Sequence, residues 1–254
     1  MQNTQKLLIT ALLATGSLVT SAVAAPLTLE VAADNWVSGS TDFQDKHYGG
    51  WYKVTSESDG AYDLKDRIPF FRFDLSSYTG GTIADAELEL FPYEQFSSTP
   101  QEFIIYGIID GGASENFGEG ATTTAGNNIE TDPSLQTWNN SGYAYGGTDS
   151  LSDSASFGDL VDLGTLSGVT DDDIGSSVSF SSTALDAFLN NDGNNIATFL
   201  VYNTNGTGTF NGFRSKESPG AGTGTTLTLV PEPSSFVLLL GGFSLWIAAI
   251  RRRS

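Results

Sequence analysis

The 254-residue chain has no cysteine, one histidine, one methionine, and only 11 basic residues against 30 acidic ones. Each scarcity closes off some chemistry. Without cysteine there are no disulfides, no thiolate metal ligands and no thiol nucleophile, so stability must come from a core. A chain of this size can bury one without covalent staples. A lone histidine excludes a His-rich zinc site. A serine triad would have to use His47, which stands in a Lys46-His47-Tyr48-Gly49-Gly50 turn with no nucleophile-elbow motif nearby. A turn residue is the simpler role. Acid/base hydrolysis needs only two carboxylates about 5–10 Å apart, but nothing singles out a pair.

Long apolar runs are scarce too, and they lie at the two ends. Near the N-terminus, Lys6 precedes an apolar stretch from Leu7 to Val19, and Ala22-Val23-Ala24 follows as a small-x-small site. This is the pattern of a signal peptide, with signal peptidase expected to cut after Ala24. At the other end Val230-Pro231-Glu232-Pro233 leads into an apolar run from Ser234 to Ile250, then Arg251-Arg252-Arg253 and Ser254. A helix over that run, at about 1.5 Å per residue, would just cross a bilayer core of about 30 Å. The arginines would hold its end in the cytoplasm. The triplet Pro231, Glu232, Pro233, the short span and the cluster Arg251, Arg252, Arg253 together resemble the PEP-CTERM sorting signal of Gram-negative bacteria that make exopolysaccharide. That resemblance implies recognition by a membrane-embedded exosortase, cleavage near the triplet, and release toward the cell surface or extracellular matrix.

The expected organisation is a signal peptide over 1–24, one domain over 25–230 and a sorting segment over 231–254. Setting both ends aside leaves 7 basic and 29 acidic residues, a net charge near -22, where the whole chain carries -19. Such a field disfavours nucleic acid and anionic lipid as partners and favours solubility and cation binding.

The middle reads as β throughout. Phe71, Phe73 and Leu75 alternate with Arg72 and Asp74, and Ala86, Leu88 and Leu90 alternate with Glu87 and Glu89. This period of two marks half-buried strands. Phe103 to Ile109 is apolar on both faces, which places it centrally. Further strands are expected over Thr28–Ala33, Trp51–Thr55, Phe157–Leu163, Ser177–Ser181, Ile196–Tyr202, Thr209–Arg214 and Thr225–Val230, with Gly, Ser, Asn and Asp between them. Ser182 to Leu189 reads instead as a short capped helix, ended by Asn190-Asn191-Asp192-Gly193. The fold class expected is all-β, a jelly-roll-like β-sandwich with one short helix.

A second resemblance rests on the order of several short motifs. They are Asp34-Asn35-Trp36-Val37, Tyr48-Gly49-Gly50, Phe71-Arg72-Phe73-Asp74-Leu75, Ile83-Ala84-Asp85-Ala86-Glu87-Leu88, Trp138-Asn139-Asn140 and Phe213-Arg214-Ser215-Lys216-Glu217. Their sequence along residues 28–230 is similar to the DNRLRE family of secreted modules, related to carbohydrate-binding modules of family 96. The polar stretch from Gly111 to Leu151 has no counterpart there and reads as a surface insertion. The resemblance implies a non-catalytic β-sandwich that binds polysaccharide or serves as an extracellular structural module. Relatives that bind acidic polymers use basic residues. This chain has few, so neutral or Ca²⁺-bridged glycan fits better.

Trp36, Trp51, Tyr52, Tyr93, Trp138, Tyr143 and Tyr145 are the aromatics near turns or strand ends, and flat rings stack on sugar faces. Trp36 and Trp51 suit the core. Trp138, Tyr143 and Tyr145, in a Gly/Asn-rich loop, are the candidates for an exposed sugar platform. Arg72, Arg214 and Lys216 would complete it as a basic patch, since guanidinium forks match hydroxyl pairs and carboxylates; the alternative is pairing with neighbours such as Asp74 or Glu217. Oxygen-rich turns at Asp171-Asp172-Asp173 and Asn190–Asn194 raise the question of Ca²⁺. Asp192 and Asp34 are the ligand candidates, Asp34 because secreted jelly rolls often tie their first strand with the ion. The expected function is a non-catalytic surface or matrix protein contacting polysaccharide. A purely structural or adhesive protein that meets other proteins is the rival reading.

Overall fold

Apolar residues spaced by two build the strands, and the sheets they form explain why so much of the chain is buried on both sides. The computed structural model describes residues 25–40, 42–51, 53–57, 66–120, 127–130, 134–143, 157–205, 211–218 and 224–232, with the backbone alone at 127–130. They belong to one unit, Ala25–Glu232. The described structure is mostly strand, with one α-helix and one 3₁₀ turn at Asp171–Asp173.

One antiparallel sheet runs in the order β1 (Leu27–Glu30), β14 (Thr226–Pro231), β6 (Ile83–Leu90), β11 (Val178–Phe180). A second runs β10 (Leu160–Val169), β8 (Gln101–Ile108), β12 (Ile196–Asn203), β5 (Arg67–Asp74), β2 (Ala33–Ser38), also antiparallel. Smaller ladders join β4 (Lys53–Ser56), β13 (Asn211–Arg214) and β7 (Pro92–Glu94), and pair β3 (His47–Trp51) with β9 (Asn127–Glu130). As expected, the strand apolar on both faces, β8, lies inside its sheet.

The two large sheets share one core. Leu29, Ala86, Leu88, Leu90, Phe180, Leu227 and Leu229 from the first meet Phe71, Phe73, Phe103, Ile105, Leu163, Phe199 and Val201 from the second. The expected strand over Thr28–Ala33 is in fact two. Val31 N–H donates to the Thr225 carbonyl in the first sheet, while Ala32 N–H donates to the Arg72 carbonyl in the second. The chain changes sheets between neighbouring amides.

β5 is not half-buried, as its alternation suggested. Its other face, with Ile68 and Phe70, packs in a second core with Val37, Tyr106, Leu200 and Tyr202, roofed by Phe117, Trp138 and Tyr143. Gly111–Leu151 is therefore no plain surface insertion in its described parts. Its few apolar side chains close the outer face of the second sheet.

The helix α1 (Thr183–Asn190) starts where the sequence indicated, with Ser182 Oγ accepting from Leu185 N–H at 3.0 Å. It packs on β6 and β10. Phe188 lies over Gly107 of β8, where an added Cβ would come within 2.6 Å of the ring.

A candidate metal centre and an apolar cleft

Asp34 stands in β2, whose six residues are all buried. One of its carboxylate oxygens accepts from the backbone N–H of Lys216 at 2.8 Å; the other, Oδ1, is enclosed and accepts nothing among the described residues. Two further carboxylates converge on it. Glu119 arrives on the segment 111–120, and Asp34 N–H lies 3.4 Å from Glu119 Oε1. Glu217 arrives on the turn after β13, which Ser215 fixes by donating to the Trp51 carbonyl at 2.6 Å and accepting from Glu217 N–H at 3.2 Å. One oxygen from each of the three lies within 4.8 Å of the others.

Lys216 is the counter-charge. Its ammonium bonds Glu119, donates to the Ala32 carbonyl at 3.0 Å, and comes within 3.8 Å of Glu217. It does not balance three carboxylates. Burial first, then the charge of Glu217, drives Asp34 well above the usual carboxylate range. Burial and the neighbouring Glu119 raise Glu217 to about 7.

The wall behind is tightly built. His47 is fully buried, with Nδ1 2.8 Å from the Gln136 carbonyl and Nε2 2.5 Å from the Glu119 carbonyl. Asn35 donates to both the backbone and the side-chain oxygen of Gln136, and accepts from Tyr48 N–H. A Cβ at Gly49 would fall 2.3 Å from the Glu119 carbonyl, so only glycine lets that segment approach. Trp36 stacks on Tyr48 with ring centres 3.8 Å apart, and Trp51 tilts against both. Trp36 is a core residue, as its pattern suggested, and Trp51 is partly buried against the same core.

The expected sugar platform is not assembled from the residues nominated for it. Trp138 is 3% exposed and Tyr143 is wholly buried. Tyr143 donates to the Ala113 carbonyl at 2.7 Å, and its hydroxyl lies 3.2 Å from Asp159. Their loop is polar in composition, but these rings are what it uses to adhere to the sheet. Tyr145 and Tyr52 fall outside the described residues. Arg72 donates to Asn116 Oδ1 at 2.6 Å and to the Phe117 carbonyl at 2.5 Å, and lies over the Phe117 ring. Arg72 and Lys216 thus both grip the segment carrying Glu119. Arg214 lies over the Tyr93 ring. The three cations are turned onto protein groups.

Asp192, the other nominated ligand, also belongs to a carboxylate triple, with Asp110 and Glu115. Each of these three carboxylates accepts at least one hydrogen bond. Glu115 accepts from Gly111 N–H and Asn194, Asp110 from Gly193 N–H, and Asp192 from Asn195 and Ile196 N–H. The bonds of Asp192 and the one from Gly111 are local turn contacts, while those from Gly193 to Asp110 and from Asn194 to Glu115 tie two distant loops together. Asp171–Asp173 likewise form the 3₁₀ turn, capped by Thr170.

Asp110 and Asp192 also edge a cleft of about 460 Å³ beside α1. Its apolar surface comes from Ile109, Val161, Ala184, Ala187 and Phe188, and Asn191 completes the polar rim. Sequence reasoning missed this cleft because Ile109, 42% exposed, was assigned to a buried strand. It also missed Glu119, which is 85 residues from Asp34 and carries no local motif. Glu217 had a signal, the Ser215-Lys216-Glu217 run after an aromatic strand.

Of the nominated sorting residues, Pro231 is the buried last residue of β14, opposite Ile83, and Glu232 N–H donates to the Thr82 carbonyl at 2.8 Å. The folded body therefore extends two residues past the expected boundary. Pro233, Arg251, Arg252 and Arg253 fall outside the described residues, among which no helix is long and apolar enough to cross a membrane. No family model matches the chain, and no curated protein matches it.

Proposed function

We propose that this is an exported, exosortase-sorted, non-catalytic protein of the cell surface or exopolysaccharide matrix. The observation that carries this reading is the extent of the compact unit, Ala25–Glu232. It begins with Ala25, the residue directly after the cut expected behind Ala24, and ends inside the Pro-Glu-Pro triplet. A body bounded by two processing signals is what export followed by sorting requires. Removal of the N-terminal segment falls to signal peptidase and of the C-terminal one to exosortase.

The finer architecture is a jelly roll. The order β1-β14-β6-β11 against β10-β8-β12-β5, with β2 added at the edge beside β5, interleaves strands from both ends of the chain, as two Greek keys do. A non-catalytic role is supported by His47, which is buried with both ring nitrogens on backbone carbonyls. For carbohydrate, the contact surface moves to the cleft beside α1. Its apolar floor suits the C–H face of a sugar ring and its carboxylates and amide suit hydroxyls. The structural or adhesive alternative keeps its place because Trp138, Tyr143, Arg72 and Lys216 are all engaged within the protein.

The deciding experiment is calorimetric titration of residues 25–232 with neutral and acidic bacterial polysaccharides, each with Ca²⁺ and with chelator. Saturable heat with any polymer establishes the carbohydrate-binding reading. A folded protein that gives no heat with the whole panel establishes the structural or adhesive one.

A further inference from the structure

Two facts about Asp34 require an explanation. It is completely buried, yet one carboxylate oxygen has no hydrogen-bond partner among the described residues. An enclosed ionised carboxylate with vacant lone pairs is strongly disfavoured unless something neutralises it. Glu217 Oε2 is likewise enclosed and without a donor among the described residues, and the Glu217 carboxyl lies in hydrogen-bonding reach of that of Glu119. In the other carboxylate triple, by contrast, every carboxylate accepts at least one backbone N–H, and both oxygens of Asp192 do.

We propose that Asp34, Glu119 and Glu217 form a binding site for one divalent, oxygen-preferring cation, Ca²⁺, which ties the 111–120 segment and the turn after β13 to β2. The donors are all oxygen, with no thiolate and no imidazole nitrogen facing them, and such a set selects hard cations over transition metals. Their spacing agrees. Oxygens on opposite sides of one Ca²⁺, at bonds of about 2.4 Å, stand about 4.8 Å apart, and no two of these three exceed 4.8 Å. Charge agrees as well. Three carboxylates against the Lys216 ammonium leave two negative charges to balance, which one divalent ion supplies. His47 is not one of the donors, because its ring nitrogens face the Gln136 and Glu119 carbonyls and not the carboxylates.

The ion would join segments that the sequence keeps far apart: Lys216, beside Glu217, is 182 residues from Asp34. It would act where Arg72 and Lys216 already hold the same loop. The competing arrangement places protons on Asp34 and Glu217 and leaves the cluster without an ion. This site stands whether or not the protein contacts glycan, so failure of one reading leaves the other intact.

The test uses the full chain, with the Ala25–Glu232 unit in parallel, stripped with chelator and titrated calorimetrically with CaCl₂ and separately with MgCl₂ at pH 7.5. The expected result is one saturable Ca²⁺ site, with affinity at least ten-fold lower in Asp34→Asn and Glu217→Gln and unchanged in Asp192→Asn. Should Asp34→Asn fail to fold, Glu217→Gln decides, since Glu217 lies at the margin of the cluster. A folded wild-type protein with no saturable Ca²⁺ binding up to millimolar concentration overturns the proposal in favour of the doubly protonated pair. So does binding that survives Glu217→Gln and disappears in Asp192→Asn.

Discussion

The side-chain amide of Asn190 treats Ile83 as a neighbouring strand would. Its Oδ1 accepts from Ile83 N–H and its Nδ2 donates to the Ile83 carbonyl, both at 2.8 Å. Four residues earlier on the same helix, Asp186 Oδ1 accepts from Ala86 N–H at 2.8 Å. β11 pairs only with Leu88–Leu90, so the first half of β6 lacks a strand on that side. The helix supplies the missing partners.

Replacing Asn190 with Ala therefore removes both bonds to β6 and leaves Ile83 to water. A loss of about 1–2 kcal/mol is expected, read as a lower urea midpoint with unchanged slope. Asp186→Asn, which keeps an acceptor, should cost less than Asp186→Ala.

Trp138→Ala separates a sugar platform from a roof. A buried tryptophan over the outer face of the second sheet should cost about 3–5 kcal/mol. An exposed stacking residue would cost almost nothing in stability. Denaturant unfolding distinguishes them directly, and the burial of the ring predicts the large value.

Arg72→Ala should loosen the segment 111–118 rather than abolish folding, because its two donated bonds end on Asn116 and Phe117. Hydrogen exchange is expected to rise there while β8 and β12 stay protected. Equal exchange in mutant and wild type would mean that the guanidinium is dispensable to the loop.

Ala187→Trp tests the cleft. Ala187 is exposed on α1, so the change should alter stability by no more than about 0.5 kcal/mol. If a glycan is held beside α1, the indole fills its place and binding falls at least ten-fold. Undiminished binding would send the search for the contact surface elsewhere.

The carboxylate cluster predicts how stability follows pH when divalent ions are chelated. Glu217 titrates near 7 in the folded state, raised by burial and Glu119 above about 4.3 when unfolded. The stabilisation from its bound proton is complete below the unfolded value and is lost as pH rises through about 7. Asp34, raised mainly by burial, acts in the same direction. The melting temperature in chelator should fall between pH 5 and pH 8. Saturating Ca²⁺ should restore more of it at pH 8 than at pH 5, because ion and proton compete for the same oxygens.

Strand content, the central place of β8 and the start of α1 were legible in the sequence, since a period of two and a Ser cap are local signals. That β5 is covered on both faces was not legible. Phe70 and Ile68 look like the edge of a half-buried strand until Phe117, Trp138 and Tyr143 arrive from a loop whose composition is polar. Three rings among many Gly, Asn and Ser residues leave no periodic trace.

The same division holds for the candidate site. Residue order by itself determined the all-β character, the lack of thiol chemistry and of a His-rich metal site, the acidic charge, and Asp34 and Asp192 as oxygen donors worth attention. Only the tertiary structure decided that both belong to carboxylate triples and that the two differ in kind. Asp192 lies in a turn whose own N–H groups satisfy it, an arrangement made by neighbours in the chain. Asp34 meets Glu119 and Glu217 because the second sheet, the insertion and the turn after β13 pack together, and long-range packing is what one-dimensional spacing cannot encode.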